Sequence, residues 1–225
     1  MISVLAAIVI LTSPQDDPKM GLTDKQILEL GFSRFVNRFS VKFGSSTAAM
    51  VDACETYGDA IKRLNDKAMA KTPQSTVFKI AKLRALMKSF RNEFCDIGRA
   101  FSGGGTIWNI SYSETNANVE ESIAALLGVK KPSAPKQVTS DVKKVIDKVE
   151  TVAKENEADI ESYKDSGGGM AEVKSSLEAA RKNFTGISNV LSAMPRKDSD
   201  TVLAFCKQAC QIPLSQFEGG ESVSQ

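Results

Sequence analysis

The sequence predicts an all-α fold, an elongated up-and-down bundle of about five to seven helices. Two observations support this prediction. In several long segments apolar residues recur at alternating three- and four-residue steps, which is the spacing of one helix face. Glycine and proline clusters separate these segments, and no repeat of fixed period indicates a solenoid. A chain of 225 residues that is 42% hydrophobic and 25% charged has enough apolar content for a folded globular domain.

The chain opens with an apolar run over residues 2–11 that is interrupted only by Ser3. This run has the length of a signal-peptide core and is far shorter than the roughly 20 residues that span a bilayer. No Lys or Arg precedes it and no good cleavage site follows, so a buried N-terminal element and a membrane-contacting segment remain alternatives. We expect export, with residues 1–20 forming this segment plus a linker at Pro14–Pro18, and one helical-bundle domain over 21–212.

Three helices are predicted in the first half of the chain. Thr23 and Gln26 have the spacing of a capping box, so the first helix begins there and ends at the glycine and serines of 44–46. The second helix runs from about Thr47 to Met69, and the third from Ser75 to about Phe101. The third has the clearest apolar stripe in the chain: Ile80, Leu83, Met87, Phe90, Phe94, Ile97 and Phe101.

The helical pattern stops near residues 103–115. Three glycines, Gly103–Gly105, precede Thr, Ile, Trp and Tyr residues that favour strands, so a short irregular or β-like segment is predicted there. A short helix follows over 118–127. The Pro- and Lys-rich stretch at 128–137 is the best candidate for a boundary within the domain.

Valines at helical spacing predict a long charged helix over 138–165. A turn at Gly167–Gly169 and a partner helix that ends at Pro195 complete an antiparallel hairpin. A last helix is expected over 198–212, followed by a flexible tail over 213–225.

Composition restricts the chemistry of any site. The chain has no histidine, which excludes Ser-His-Asp, Cys-His and HExxH sites. The glycine triplets lack the GK[ST] ending of a phosphate loop, and the acidic run over 155–161 lacks EF-hand spacing. A net charge of +2 is small for a nucleic-acid binder. We therefore predict no catalytic residue, cofactor site or metal site, and no nucleic-acid partner.

Four cysteines permit two disulfides. Cys206 and Cys210 lie one turn apart on the last helix, so each is expected to bridge outward, to Cys54 and Cys95 in either pairing. This arrangement requires the last helix to pack in the groove between the second and third helices. The alternative is four reduced thiols that are buried as small apolar groups.

Two sequons, at Asn109 and Asn183, are glycosylation candidates and agree with export. The combined pattern favours a non-enzymatic secreted or surface protein that binds another macromolecule, most simply a protein. One alternative is a membrane-active protein resembling an α-helical pore former, in which the apolar N-terminal segment or the Phe-rich first helix inserts into lipid. A second alternative is an intracellular helical scaffold.

Two sets of basic residues are candidates for anion-binding surfaces. In the first helix Phe32, Phe35 and Phe39 lie beside Arg34, Arg38 and Lys42, and core packing of the phenylalanines is the favoured interpretation. In the third helix a basic set is interrupted by Glu93 and Asp96 and is interpreted as a solvated face. Its members are Lys79, Lys82, Arg84, Lys88, Arg91 and Arg99.

Overall fold

The computed structural model describes residues 16–17, 20–130, 141–166 and 168–218. Within these stretches every element longer than three residues is an α-helix, so the predicted all-α fold is confirmed. The predicted N-terminal signal segment, most of the predicted boundary at 128–137 and the end of the predicted tail lie outside the described residues.

The helices are numbered in chain order. The first half contains α1 (Asp24–Leu30), α2 (Phe32–Phe43), α3 (Thr47–Met69), α4 (Gln74–Phe101) and α5 (Ile107–Leu126). The second half contains α6 (Val142–Glu155), α7 (Glu157–Ser162), α8 (Met170–Leu191) and α9 (Arg196–Glu218). A 3-10 turn lies at Lys164–Ser166, and β1 (Asp16–Asp17) pairs antiparallel with β2 (Leu22–Thr23).

The first predicted helix begins where expected but consists of two helices. The backbone N–H of Gln26 donates to the Thr23 hydroxyl at 3.3 Å, and the backbone N–H of Thr23 donates to the Gln26 side chain at 2.9 Å, which confirms the capping box. Gly31 then adopts φ +74°, a conformation that other residues rarely reach, and separates α1 from α2. The sequence-based prediction places one continuous helix across Gly31.

The second and third predicted helices are confirmed as α3 and α4. All seven apolar stripe residues of α4 are buried, because this face packs against α8 and α9. Because α4 buries one continuous side, its sequence shows a single apolar stripe, and such a stripe predicts a helix reliably.

The predicted β-like segment near 103–115 is wrong beyond residue 106, because Ile107 begins a 20-residue helix. The short helix predicted over 118–127 is the second half of this same helix α5. The Trp108 indole N–H donates to the Ser102 hydroxyl at 2.9 Å and ties the start of α5 to the end of α4.

Helix α5 lies between two hydrophobic clusters. Ala117 and Ala124 belong to the cluster formed with α1, α2 and α3. Val119 and Ile123 belong to the larger cluster formed with α4 and α6 to α9. A helix that is buried on two sides does not show the single apolar stripe by which helices are recognised in sequence.

The hairpin of the second half is confirmed, with a break. The Arg181 guanidinium contacts Asp147 of α6 at 2.8 Å, and the backbone N–H of Met170 donates to Glu161 at 2.9 Å, so α6 and α7 run antiparallel to α8. The long helix predicted over 138–165 is interrupted at Asn156, which separates α6 from α7.

The predicted end of the last helix at Ile212 is wrong. Helix α9 continues through Pro213 to Glu218, so the flexible tail predicted from 213 does not begin there. Proline normally ends or kinks a helix, but Leu214 is buried in the core and holds the following turn in place. Helix α9 packs on α4, α5 and α6, and not in a groove between α3 and α4 as predicted.

Candidate binding groove

Helices α3 and α5 run side by side in the same direction and form the closest helix pair of the N-terminal half. A Cβ added to Gly58 of α3 would lie only 2.8 Å from the Asn116 amide and 3.1 Å from the backbone nitrogen of Ala117. Farther along, the Asn65 amide donates to the backbone oxygen of Glu120 at 2.8 Å. The absence of a side chain at Gly58 therefore sets how closely these two helices approach.

An open groove of about 760 Å³ lies between the N-terminal halves of α3 and α5. Asp52 and Glu55 supply two carboxylates one turn apart, and the lining contains no Lys or Arg among the residues that the structure describes. The remaining lining combines hydroxyl and amide groups with a larger apolar surface. It consists of Thr47, Ala48 and Val51 of α3 with Thr106, Asn109, Tyr112 and Ser113 of α5.

The Tyr112 side chain is fixed from behind the groove. Its hydroxyl donates a short hydrogen bond to Asp96 of α4, and the Arg99 guanidinium lies between Asp96 at 3.7 Å and Glu172 of α8 at 2.5 Å. Burial, with help from the bond to Asp96, raises the pKa of the Tyr112 phenol, so it remains a neutral donor. This wall of the groove is rigid because three helices hold it.

A buried arginine anchors α5 to α4 beneath the groove. One Arg91 nitrogen donates at 2.6 Å to both the Ser111 carbonyl and the Thr115 hydroxyl, and the other lies 3.3 Å from Glu114. Arg91 is 7% exposed. The interpretation of Arg91 as part of a solvated face is therefore wrong, because its charge is satisfied by α5 instead of by water.

A second buried ion pair lies farther along the same helices. The Arg84 guanidinium reaches both oxygens of Glu120 at 3.0 Å, and the Asn65 amide donates to the same carboxylate at 2.9 Å. The Arg84 Nε contact is too bent to count as a hydrogen bond, so it is an electrostatic contact only. Burial raises the pKa of Glu120, which is 1% exposed. Arg84, like Arg91, is not the solvated residue that the sequence predicted.

Both glycine-rich connections lie at the end of the bundle where the groove opens. Gly103 has φ +68° and lies against the Tyr163 ring, where a Cβ would be 2.4 Å from a ring carbon. A Cβ at Gly168 would lie 2.9 Å from the backbone oxygen of Ala100. The second connection joins antiparallel helices, as predicted. The first leads into α5 instead of the predicted β-like segment, and Thr106, which follows it, lines the groove.

The four predicted disulfide cysteines are all described, buried and free. The two expected bridges are not formed in the structure, because α9 packs on the opposite side of α4 and α5 from the predicted position. Cys206 and Cys210 belong to the larger hydrophobic cluster. Burial raises the pKa of Cys54 to about 12 and that of Cys95 to about 11.

The two sequons differ in accessibility. Asn109 is exposed on the first turn of α5 and lines the groove. Asn183 is half-buried in α8, and its amide donates to the Ser89 hydroxyl at 3.0 Å. Glycosylation of Asn183 would break this bond between α8 and α4, so Asn109 is the better acceptor of the two.

A smaller cavity of about 260 Å³ lies between α6 and α8. Its floor is apolar, and part of its rim is closed by Arg181, which pairs with Asp147 at 2.8 Å and with Glu150 at 2.7 Å. Hydrogen bonds from Lys154 and Arg181 lower the pKa of Glu150. These contacts hold α6 on α8, so we assign the rim a structural role.

Of the groove residues on α5, only Asn109 is a candidate from sequence, and as a glycosylation site rather than as part of a groove. Thr106, Asn109 and Ser113 lie three and four residues apart, which is the spacing of one face of a helix. This spacing is the sequence signal for a polar face on α5. Because the segment was predicted to be β-like, this polar helix face was not predicted. The pairing of α3 with α5 is a long-range contact for which the sequence contains no local signal.

No family model matches the chain, and comparisons with curated proteins and with solved structures found no match. Within 20–130, 141–166 and 168–218, no three Cys, Asp or Glu residues are grouped so that they could hold a metal ion. None of the described helices is both long enough and apolar enough to cross a membrane.

Proposed function

We propose that this protein is a non-enzymatic binding protein that engages a protein partner through the groove between α3 and α5. The observation that carries the proposal is the groove itself, which combines an open shape with the exposed Glu55 carboxylate, several hydroxyl and amide groups, and an apolar surface. Charge complementarity then favours a partner segment that bears Lys or Arg.

The size of the groove supports a peptide segment as its occupant. A volume of about 760 Å³ lies within the range of ligand-binding clefts, and the groove is open to solvent rather than enclosed. The apolar surface at Ala48 and Val51 provides contact for the stems of long basic side chains, whose charged ends then reach the Glu55 carboxylate.

The polar groups below the groove support binding over catalysis. Arg91 and Tyr112 are occupied by partners on neighbouring helices, which fixes the groove walls. Burial raises the pKa of Cys54 to about 12, the opposite of the lowered value that a nucleophilic thiolate requires.

Export is part of the same proposal. It is supported by the apolar run at 2–11, which has the length of a signal-peptide core. The mass of the mature N-terminus tests it: a chain beginning near Pro14 agrees with export, and retention of Met1 on the functional protein contradicts cleavage of a signal.

A peptide selection tests the binding function. A randomised peptide library displayed on phage is selected against the full chain, and enriched peptides are synthesised and their affinities measured by fluorescence anisotropy. We expect an excess of Lys and Arg among them, and about tenfold weaker binding to Glu55→Lys, because one charge-assisted contact is replaced by repulsion.

The matched control is Glu155→Lys. Glu155 is exposed at the end of α6, which packs on α8 and α9 and not on α3. Its substitution makes the same charge change and is expected to leave peptide affinity unaltered. Enriched peptides without an excess of basic residues, or equal affinity for Glu55→Lys and wild type, would overturn the proposal.

A further inference from the structure

The outer face of α2 carries three cations in one row. Arg34, Arg38 and Lys42 are exposed and lie four residues apart, so they occupy one side of the helix over about 12 Å. Val41 lies on the same face between the cations and is 89% exposed, the highest exposure of any large apolar side chain in the described part of the chain. We call these four residues the α2 outer face.

Neighbouring residues of the sequence do not balance the charges of Arg34 and Arg38. Residues 30–51 contain no Asp or Glu. Arg34 and Arg38 form no ion pair with any residue that the structure describes, and the Lys42 ammonium lies 5.1 Å from the centre of the Phe43 ring. The exposed side of α6 differs, because its lysines are interspersed with Asp147 and Glu155.

The opposite face of α2 is fixed in the core. Phe35 and Phe39 are at most 1% exposed and pack on one another and, through Phe35, on Tyr57 of α3. Insertion of this Phe-rich side into lipid would require α2 to leave the bundle. Contact through the α2 outer face requires no rearrangement.

We infer that the α2 outer face docks on an anionic lipid surface, with Arg34 and Arg38 against the lipid headgroups and Val41 in the interfacial layer. Each Lys or Arg near such a surface is attracted to it, and an apolar side chain among the cations gains by leaving water. A nucleic acid would satisfy the cations but would leave Val41 exposed. The α2 outer face shares no residue with the groove between α3 and α5, so the two proposals are independent. Lipid contact through this face places the protein at an anionic membrane surface.

Vesicle co-sedimentation of the full chain tests the inference. The vesicles are phosphatidylcholine alone or phosphatidylcholine with about 30% phosphatidylserine, at low salt and at physiological salt. Wild-type protein is expected to bind the anionic vesicles only and to be released as salt rises. The double variant Arg34→Glu/Arg38→Glu is expected to bind them at least about 30-fold more weakly, from roughly a fivefold loss per basic residue.

Two further variants separate charge from apolar contact. Lys143→Glu/Lys144→Glu makes the same charge change on the exposed side of α6 and is expected to bind within about twofold of wild type. Val41→Ser is expected to lose about fivefold, since part of one valine no longer leaves water. Circular dichroism melting confirms that each variant is folded before its binding is compared.

Three results would overturn the inference. The first is equal binding of wild type and Arg34→Glu/Arg38→Glu. The second is equal binding of wild type to neutral and anionic vesicles, which would assign the contact to apolar residues elsewhere in the chain. The third is tighter binding to a DNA oligonucleotide than to anionic vesicles at the same salt concentration, which would identify the face as a nucleic-acid contact.

Discussion

The indole ring of Trp108 lies directly against the backbone of Gly98. A Cβ at Gly98 would be 2.3 Å from the ring carbon Cη2 and 2.8 Å from Cζ3, both parts of a rigid ring that is held by its bond to Ser102. We expect Gly98→Ala to lower the free energy of unfolding by about 1 to 3 kcal/mol, because the ring and the start of α5 must shift. Urea denaturation measures the loss.

Gly186→Ala is the control for this substitution. Gly186 is also inside a helix, but its added Cβ would meet only the flexible end of Leu86, at 3.0 Å. The gain in helix propensity, about 1 kcal/mol, offsets that adjustment. A loss for Gly98→Ala no larger than the change for Gly186→Ala would show that α5 does not start against α4 in this way.

The buried pair of Arg84 and Glu120 gives a second prediction. Arg84→Met leaves the Glu120 carboxylate buried with Asn65 as its remaining partner, so we expect a loss of about 3 to 5 kcal/mol in the free energy of unfolding. The double variant Arg84→Met/Glu120→Leu should recover much of this loss, because it removes the unpaired charge as well.

Lys62→Met is the matched control, since Lys62 pairs with Asp66 at 2.9 Å on the exposed side of α3. Its loss should be at most about 0.5 kcal/mol. Similar losses for Lys62→Met and Arg84→Met in chemical denaturation would contradict the burial of the Glu120 carboxylate.

The pKa of Glu120 predicts a pH dependence of stability. Burial raises this pKa above its ordinary value of 4.5. Between the ordinary and the raised value the folded chain holds a proton that the unfolded chain has released, so the free energy of unfolding falls as pH rises through that interval. Glu120→Gln removes this contribution and should flatten the decline, as measured by denaturation at a series of pH values.

Glu150 supplies a control of opposite sign. Hydrogen bonds from Lys154 and Arg181 lower its pKa below 4.5, so its contribution is lost as pH falls below that value. Glu150→Gln should therefore reduce the loss of unfolding free energy below pH 4.5. It should leave the pH dependence above 4.5 as in wild type. A steeper decline above 4.5 in Glu120→Gln than in wild type would contradict the assignment.

Sequence reasoning succeeded for helices that bury one side. The stripe from Ile80 to Phe101 predicted α4 almost to the residue, and Thr23 with Gln26 located the start of α1. The same reasoning did not predict the start of α5. Ala117 and Val119 pack in different hydrophobic clusters, so this helix has no single apolar stripe. The groove and the buried roles of Arg84 and Arg91 depend on where α5 packs, and no local pattern specifies that position.

This difference between α4 and α5 predicts the behaviour of isolated peptides. The start of α5 is rich in residues of low helix propensity, among them Thr106, Ile107 and Trp108, so its helix depends on tertiary contacts. A peptide of residues 105–126 should be largely unstructured in water by circular dichroism. A peptide of residues 74–101 should be measurably more helical. Equal helicity would mean that α5 forms from local preference.

The thiols provide the last prediction, which separates the packing of α9 in the structure from the bridged arrangement expected from sequence. All four cysteines are buried and free, and burial raises the pKa of Cys95 to about 11, so only about one thiol in a thousand is ionised there at pH 8. The folded, unreduced protein should therefore react with Ellman's reagent only as fast as it opens, and four thiols should react at once in denaturant. Ser45→Cys, which places a thiol in the exposed turn before α3, should add one equivalent that reacts immediately in the folded state. Fewer than four reactive thiols in denaturant without reductant would reveal disulfides, and peptide mapping of Cys206 and Cys210 would then show whether α9 packs against α3 after all.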